Sequence, residues 1–184
     1  MNSLLSHESL LQYWQSHRRI SRRTIELFPD DQLFGFRPAP PMRSFGETML
    51  EVIRLLEPNL RGWVTGEWTQ YEPPYAVDSK ETLLNAWDES SATLNRHWAA
   101  ISQSRLFELR PVYFYGNPSE PHSDSVLYMI DNEIHHRAQG FVYLRMLGLE
   151  PPFFWEYASP QVESARINSL TRPNSPLENL RRNQ

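Results

Sequence analysis

The sequence predicts an all-α fold, a four-helix bundle. Three observations carry that expectation. Four segments place apolar residues every three or four positions, proline-rich stretches separate them, and 184 residues suffice for one domain with its own core.

The first helix is expected from about Ser3 to Phe28, with Leu4, Leu11, Trp14, Ile25 and Phe28 among its apolar positions. Pro29, Asp30 and Asp31 stop it. In the loop that follows, FGFRPAPPMRS, three prolines fall within four residues, which no helix interior tolerates. The second helix starts at Ser44, an N-cap whose capping box is completed by Glu47. Phe45, Met49, Val52, Leu56, Leu60 and Trp63 continue as one stripe, and Pro58 inside the run predicts a kink or an early end.

The aromatic, proline-rich link from about Thr65 to Val77 is expected to pack down. It is long enough to cross the bundle, so the second and third helices need not be antiparallel. The third helix opens at Asp78 or Ser79 and is expected to reach about Ser104, burying Leu83, Leu84, Trp87, Leu94, Trp98 and Ile101. Alternation at Val112–Tyr115 suggests a short strand with no evident partner. The fourth helix runs from about Ser123 to Leu147, with Gly148 at its C′ position. Leu127, Ile130, Ile134 and Phe141 form one apolar stripe, and Met129, Tyr143 and Leu147 another. Such a helix is either central or lies at a subunit contact. Residues 1–155 therefore form the bundle, and 156–184 are expected to be a polar tail, extended or loosely packed.

Composition narrows the function. A hydrophobic share of 40% with 22% charged residues excludes global disorder. The chain has no cysteine, so disulfides, thiolate metal sites and a cysteine nucleophile are excluded. A net charge of −4 without a basic stripe argues against nucleic acid. Arg accounts for all the basic residues except Lys80, a bias that base composition explains better than anion recognition. No run approaches the roughly 20 apolar residues of a membrane span, and the N-terminus lacks the pattern of a signal peptide. A cytoplasmic protein is expected.

Chemistry centres on DNEIHHRAQ, residues 131–139. Asn132 and His136 stand four apart on one helix face. An imidazole and an amide oxygen converging there suit a metal if another helix adds a third ligand. Taken alone, the pair fits a hydrogen-bonded core histidine better. His135 points about 100° away and reads as a surface or supporting residue. Glu133 and Arg137, also four apart, read as a structural ion pair.

The block Asp131–Pro152, DNEIHHRAQGFVYLRMLGLEPP, resembles the last helix of the DinB/YfiT-like family, roughly H-E-x-H-H-R-G-Q, then YLR, a glycine and a proline pair. MRSFGETMLEVI resembles that family's S-x-x-E-x-x-x-H-I segment, and SHRRISRRTIELFPDDQLFGFRP its first helix and turn. Together these cover most of residues 1–155. The resemblance implies an up-down-down-up four-helix bundle, commonly dimeric, with a divalent metal on three histidines. It also implies kinship with thiol-dependent transferases and isomerases. Carried over by position, the three ligands fall on Glu51, Asn132 and His136, and the glycine of H-H-R-G-Q falls on Ala138. Replacing two imidazoles by a carboxylate and an amide weakens zinc binding and favours harder ions.

Two readings follow. In one, the protein is a metal-dependent hydrolase or small-thiol-dependent transferase. Manganese, iron, nickel or zinc sits on Glu51, Asn132 and His136, and Tyr143 donates a hydrogen bond to a bound intermediate. In the other, it is a non-catalytic dimeric stress-response or binding protein, and the same residues form a buried hydrogen-bond cluster. A homodimer is expected in both.

Overall fold

In the computed structural model, residues 6–110 and 119–155 are described. Helix α1 spans His7–Leu27, the short α2 Asp30–Gly35, α3 Phe45–Thr65, α4 Lys80–Trp98 and α5 His122–Met146. The four long helices make the bundle. Helix α3 packs on α4 and α5, α1 packs on the same two, and α2 lies against α3.

Helix directions follow from which residues share each layer of the core. At one end, Ile25 and Phe28 from the end of α1 meet Phe45 and Met49 from the start of α3. Leu83 and Trp87 from the start of α4, and Tyr143 and Leu144 from the end of α5, join them. At the other end, Leu10 and Trp14 meet Leu60 and Trp63, Leu94 and Trp98, and Val126, Met129 and Ile130. Helices α1 and α5 therefore run one way and α3 and α4 the other, which is the up-down-down-up order. Because α3 and α4 are parallel, the link between them must travel the bundle's length, about 30 Å for helices of this size. It does so packed down. Tyr71, Tyr75 and Val77 lie against the core, Glu72 pairs with Arg54 at 2.7 Å, and the Tyr75 hydroxyl donates to Glu89 at 3.0 Å.

Local chemistry sets most helix ends. Ser6 caps α1, so this helix begins later than Ser3, which lies outside the described residues. Ser44 and Glu47 form the expected capping box of α3, and Ser79 with Thr82 forms another on α4. Helix α3 runs through Pro58 to Thr65 without an early end, and Asn59 Nδ2 donates to the Leu55 carbonyl in the turn the proline disturbs. Helix α5 closes in a Schellman motif. Leu149 N–H bonds to Leu144 O at 2.8 Å and Gly148 N–H to Arg145 O at 3.0 Å, with Gly148 at φ +77°.

Two expectations are corrected. Helix α4 ends at Trp98 rather than near Ser104, because the chain turns there to bury Ile101 and then Leu106 among the lower core side chains. On α5, Leu127 is 47% exposed, since the buried face follows Val126, Met129, Ile130, Glu133 and His136. A short two-stranded ladder also precedes α5. Leu109–Arg110 (β1) pairs antiparallel with Glu120–Pro121 (β2). The proposed strand Val112–Tyr115, like the tail from 156, lies outside the described residues.

Trp14, Trp63, Trp87 and Trp98 are each at most 1% exposed and are among the largest contributors to the core, a few kcal/mol apiece by burial. Between the two apolar layers lies a polar one. Glu133, fully buried, accepts from Trp14 Nε1 at 3.3 Å and Ser21 Oγ at 2.6 Å, with Arg18 at 3.7 Å and Arg137 at 3.9 Å. The Glu133–Arg137 pair thus exists, but inside the bundle rather than on its surface.

Candidate functional site

Ser44 starts α3, and two turns later Glu51 reaches the groove between α3 and α5. There its Oε1 lies 3.4 Å from His136 Nε2, across 85 residues of chain. His136 is buried, while the Glu51 side chain is one-third exposed, so the pair meets solvent on the carboxylate side. The other carboxylate oxygen is held by the guanidinium of Arg43, the residue before the N-cap. Burial alone would raise the Glu51 carboxyl, but the hydrogen bond and charge of Arg43, with His136 behind them, hold it below the usual carboxylate range.

The imidazole is oriented from its far side. His136 Nδ1 lies 3.2 Å from Gln139 Oε1, and Gln139 Nε2 lies 3.3 Å from His135 Nε2. With the amide placed this way, Nδ1 of His136 donates and His135 Nε2 accepts. A neutral His136 then turns the lone pair of Nε2 toward a carboxylate oxygen. Two acceptors at 3.4 Å repel unless a cation stands between them. A metal ion fills that role, and so does a proton on Nε2, which the neutral imidazole carries when the Gln139 amide is turned over.

Glu51 Oε1 and His136 Nε2 are both metal-type donors, separated by 3.4 Å. Two ligands about 2.1 Å from one ion stand about 3.4 Å apart at a tetrahedral angle and about 3.0 Å apart at an octahedral one. The octahedral geometry of a harder ion therefore requires the pair to close by a few tenths of an ångström. An imidazole fixed by an outer hydrogen bond is how metal-ligating histidines are commonly held. The third position, Asn132, is half-buried one turn before His136 and makes no hydrogen bond to either partner among the described residues. No group of three His, Asp or Glu side chains is placed to hold an ion among those residues, so the third donor would be the amide or water.

Tyr143 lies two turns further along α5. It is 2% exposed, edge-on to Phe36 at 5.8 Å, and its hydroxyl donates to the Arg43 carbonyl at 3.3 Å. Burial raises its pKa against the opposing charge of Arg43. The structure thus brings Glu51 and His136 together, leaves Asn132 beside them, and uses the Tyr143 hydroxyl to anchor the loop that carries Arg43.

Two members of the site escaped the sequence reading. Gln139 was available from its three-residue spacing to His136. Arg43 was not, because a side chain folding back from a loop over two helical turns follows no periodic signal.

The profile of the DinB family matches residues 1–167. The chain belongs to the DinB family. The bundle is similar to a DinB-like protein of Bacillus cereus, with a TM-score of 0.61 at 20% identity over 80% of this chain and 97% of that one. It is also similar to a putative DinB member from Exiguobacterium sibiricum, with a TM-score of 0.60 at 21% identity over 80% and 95%. A mycothiol-dependent maleylpyruvate isomerase matches with a TM-score of 0.54 at 18% identity, over 74% of this chain and 62% of that one. At these identities the likeness shows the DinB fold alone. No curated protein sequence is similar enough to match. No helix among the described residues is long and apolar enough to cross a membrane.

Proposed function

We propose that this DinB protein is a metal-dependent enzyme, a hydrolase or small-thiol-dependent transferase, with Glu51, Asn132 and His136 as the protein ligands. One observation carries the reading: Glu51 Oε1 and the Nε2 of an imidazole in contact with Gln139 face each other at 3.4 Å, with the carboxylate one-third exposed. A divalent ion there would act as a Lewis acid or activate its bound water. The carboxylate and amide favour a harder ion such as manganese or iron(II) over zinc, with nickel also accommodated. With no cysteine in the chain, thiol chemistry would require a small thiol as cosubstrate, a reading supported by the mycothiol dependence in the isomerase neighbour's name. The reading also takes the protein to be cytoplasmic and homodimeric.

Elemental analysis of the purified protein, with thermal melts in manganese, nickel and zinc, tests it. A metal at about a hundred times its Kd should stabilise the protein by ~2.7 kcal/mol, or about 5–10 °C for a chain of this size. A protein that carries no metal and shows no shift with any of the three would refute the proposal.

The Arg43–Glu51 ion pair favours a second reading, a non-catalytic dimeric binding or stress-response protein in which a proton on His136 completes an Arg43–Glu51–His136 chain. In that case Glu51→Ala lowers the melting temperature of the metal-free protein. If it abolished metal binding and left that temperature unchanged, this second reading would be lost.

A further inference from the structure

We infer that Arg43 is a tethered cation that competes with the metal for the Glu51 carboxylate, so that metal enters only as the guanidinium swings off. The inference rests on the metal-binding reading above and adds what regulates that site. Its basis is the division of one carboxylate between two partners. His136 Nε2 faces Oε1, while the Arg43 guanidinium holds Oε2. A fixed positive charge on one oxygen lowers the negative charge available to an ion at the other, and repels that ion directly.

The two ends of Arg43 are held differently. Its backbone carbonyl is pinned by the buried Tyr143 hydroxyl at 3.3 Å, so the tether does not drift from the site. Its side chain is 47% exposed, so the guanidinium can leave the carboxylate for water without giving up buried packing. Such an arrangement keeps a cation on Glu51 when metal is scarce and yields to an ion that binds His136 and the carboxylate together. It also raises the threshold concentration for loading. Weakly bound ions are rejected first, since they gain least from displacing the arginine.

Calorimetric titration of manganese and zinc into the full chain tests this, comparing wild type with Arg43→Gln, Arg43→Lys and Glu51→Gln. Removing the competing charge should tighten binding about tenfold in Arg43→Gln, within the ordinary range of coupling between two ligands of one group. Arg43→Lys, which keeps the charge, should stay close to wild type, a contrast that loss of a merely structural contact would not produce. Glu51→Gln removes the shared carboxylate and should weaken metal binding with or without Arg43→Gln. Tighter binding by Arg43→Gln than by a wild type that itself binds metal supports the inference. Equal or weaker binding in Arg43→Gln, with wild type binding metal, overturns the competition and leaves the metal site standing. No binding by either protein overturns both. Should Arg43→Gln fail to fold, Arg43→Met decides by the same comparison, because it keeps the aliphatic stem and removes the charge.

Discussion

Glu133 is fully buried within reach of two guanidinium groups, those of Arg18 and Arg137. One carboxylate faces two cations, and burial pushes both arginines down while Glu133 raises them; arginine nevertheless stays charged. Hydrogen bonds carry the rest of the compensation. Arg18 donates to Ser91 Oγ and the Trp87 carbonyl and lies 4.0 Å over the Trp87 ring, and Arg137 donates to the His17 carbonyl and Ser21 Oγ. Arg137 also lies 3.0 Å from His17 Nδ1. A guanidinium only donates, so Nδ1 accepts and His17 is neutral. Burial and then the charge of Arg137 push its pKa down to about 4. The unfolded chain, with a histidine pKa near 6.5, binds a proton that the folded protein refuses. Stability contributed by His17 is therefore full above about pH 6.5 and is lost as pH falls toward 4. Urea denaturation should show a loss of ~2 kcal/mol between pH 7 and pH 5 from this group. His17→Asn, whose amide oxygen still accepts from Arg137 but does not titrate, should remove that part of the slope. Identical slopes in the two proteins would show that His17 is not the source.

At the scale of elements, α5 depends on one close approach. A Cβ at Gly140 would stand 2.4 Å from the Phe45 ring, and that ring is fully buried and stacked on Phe28 at 4.7 Å. Neither ring has space to yield. Gly140→Ala should therefore destabilise the protein by about 1–3 kcal/mol through overpacking, despite the ~1 kcal/mol that alanine gains in a helix. If the proposed metal is bound, any shift of α5 away from α3 that this clash forces should also weaken its binding. Chemical denaturation measures the first effect and metal titration the second; a variant as stable as wild type would mean that α3 and α5 separate freely. Capping was legible in advance because it is local. Ser44 with Glu47 and Gly148 after α5 need only their own neighbours in the chain. The end of α4 was not legible, since Ala99 and Ala100 carry no stop signal and the turn there serves Ile101.

For the whole molecule, the outer face of α5 bears on assembly. Tyr128, Val142 and Met146 fall within about 40° of one another around the helix axis and are 50%, 54% and 57% exposed. His135 and Gln139 lie between Tyr128 and Val142 on the same side, so this is a mixed face with an apolar pair, Val142 and Met146, at its C-terminal end, which the homodimer expectation would place against a second copy. Light scattering should give twice the chain mass in solution, and Val142→Glu with Met146→Glu should give the single-chain mass at the same concentration. A monomeric wild type would end the homodimer expectation.

The sequence by itself determined the four amphipathic helices, the caps of α3 and α5 and the DinB pattern, and through that pattern it pointed to Glu51 opposite His136. These are properties of periodicity, turn chemistry and motif, all readable along one stretch of chain. Only the tertiary structure decided that Glu133 and Arg137 turn inward to Arg18, that Gln139 orients His136, and that Arg43 folds back onto Glu51. Each of those outcomes depends on which helix faces meet and how much water they exclude. Partners such as Trp14 and Glu133, 119 residues apart, share no local pattern that would announce them.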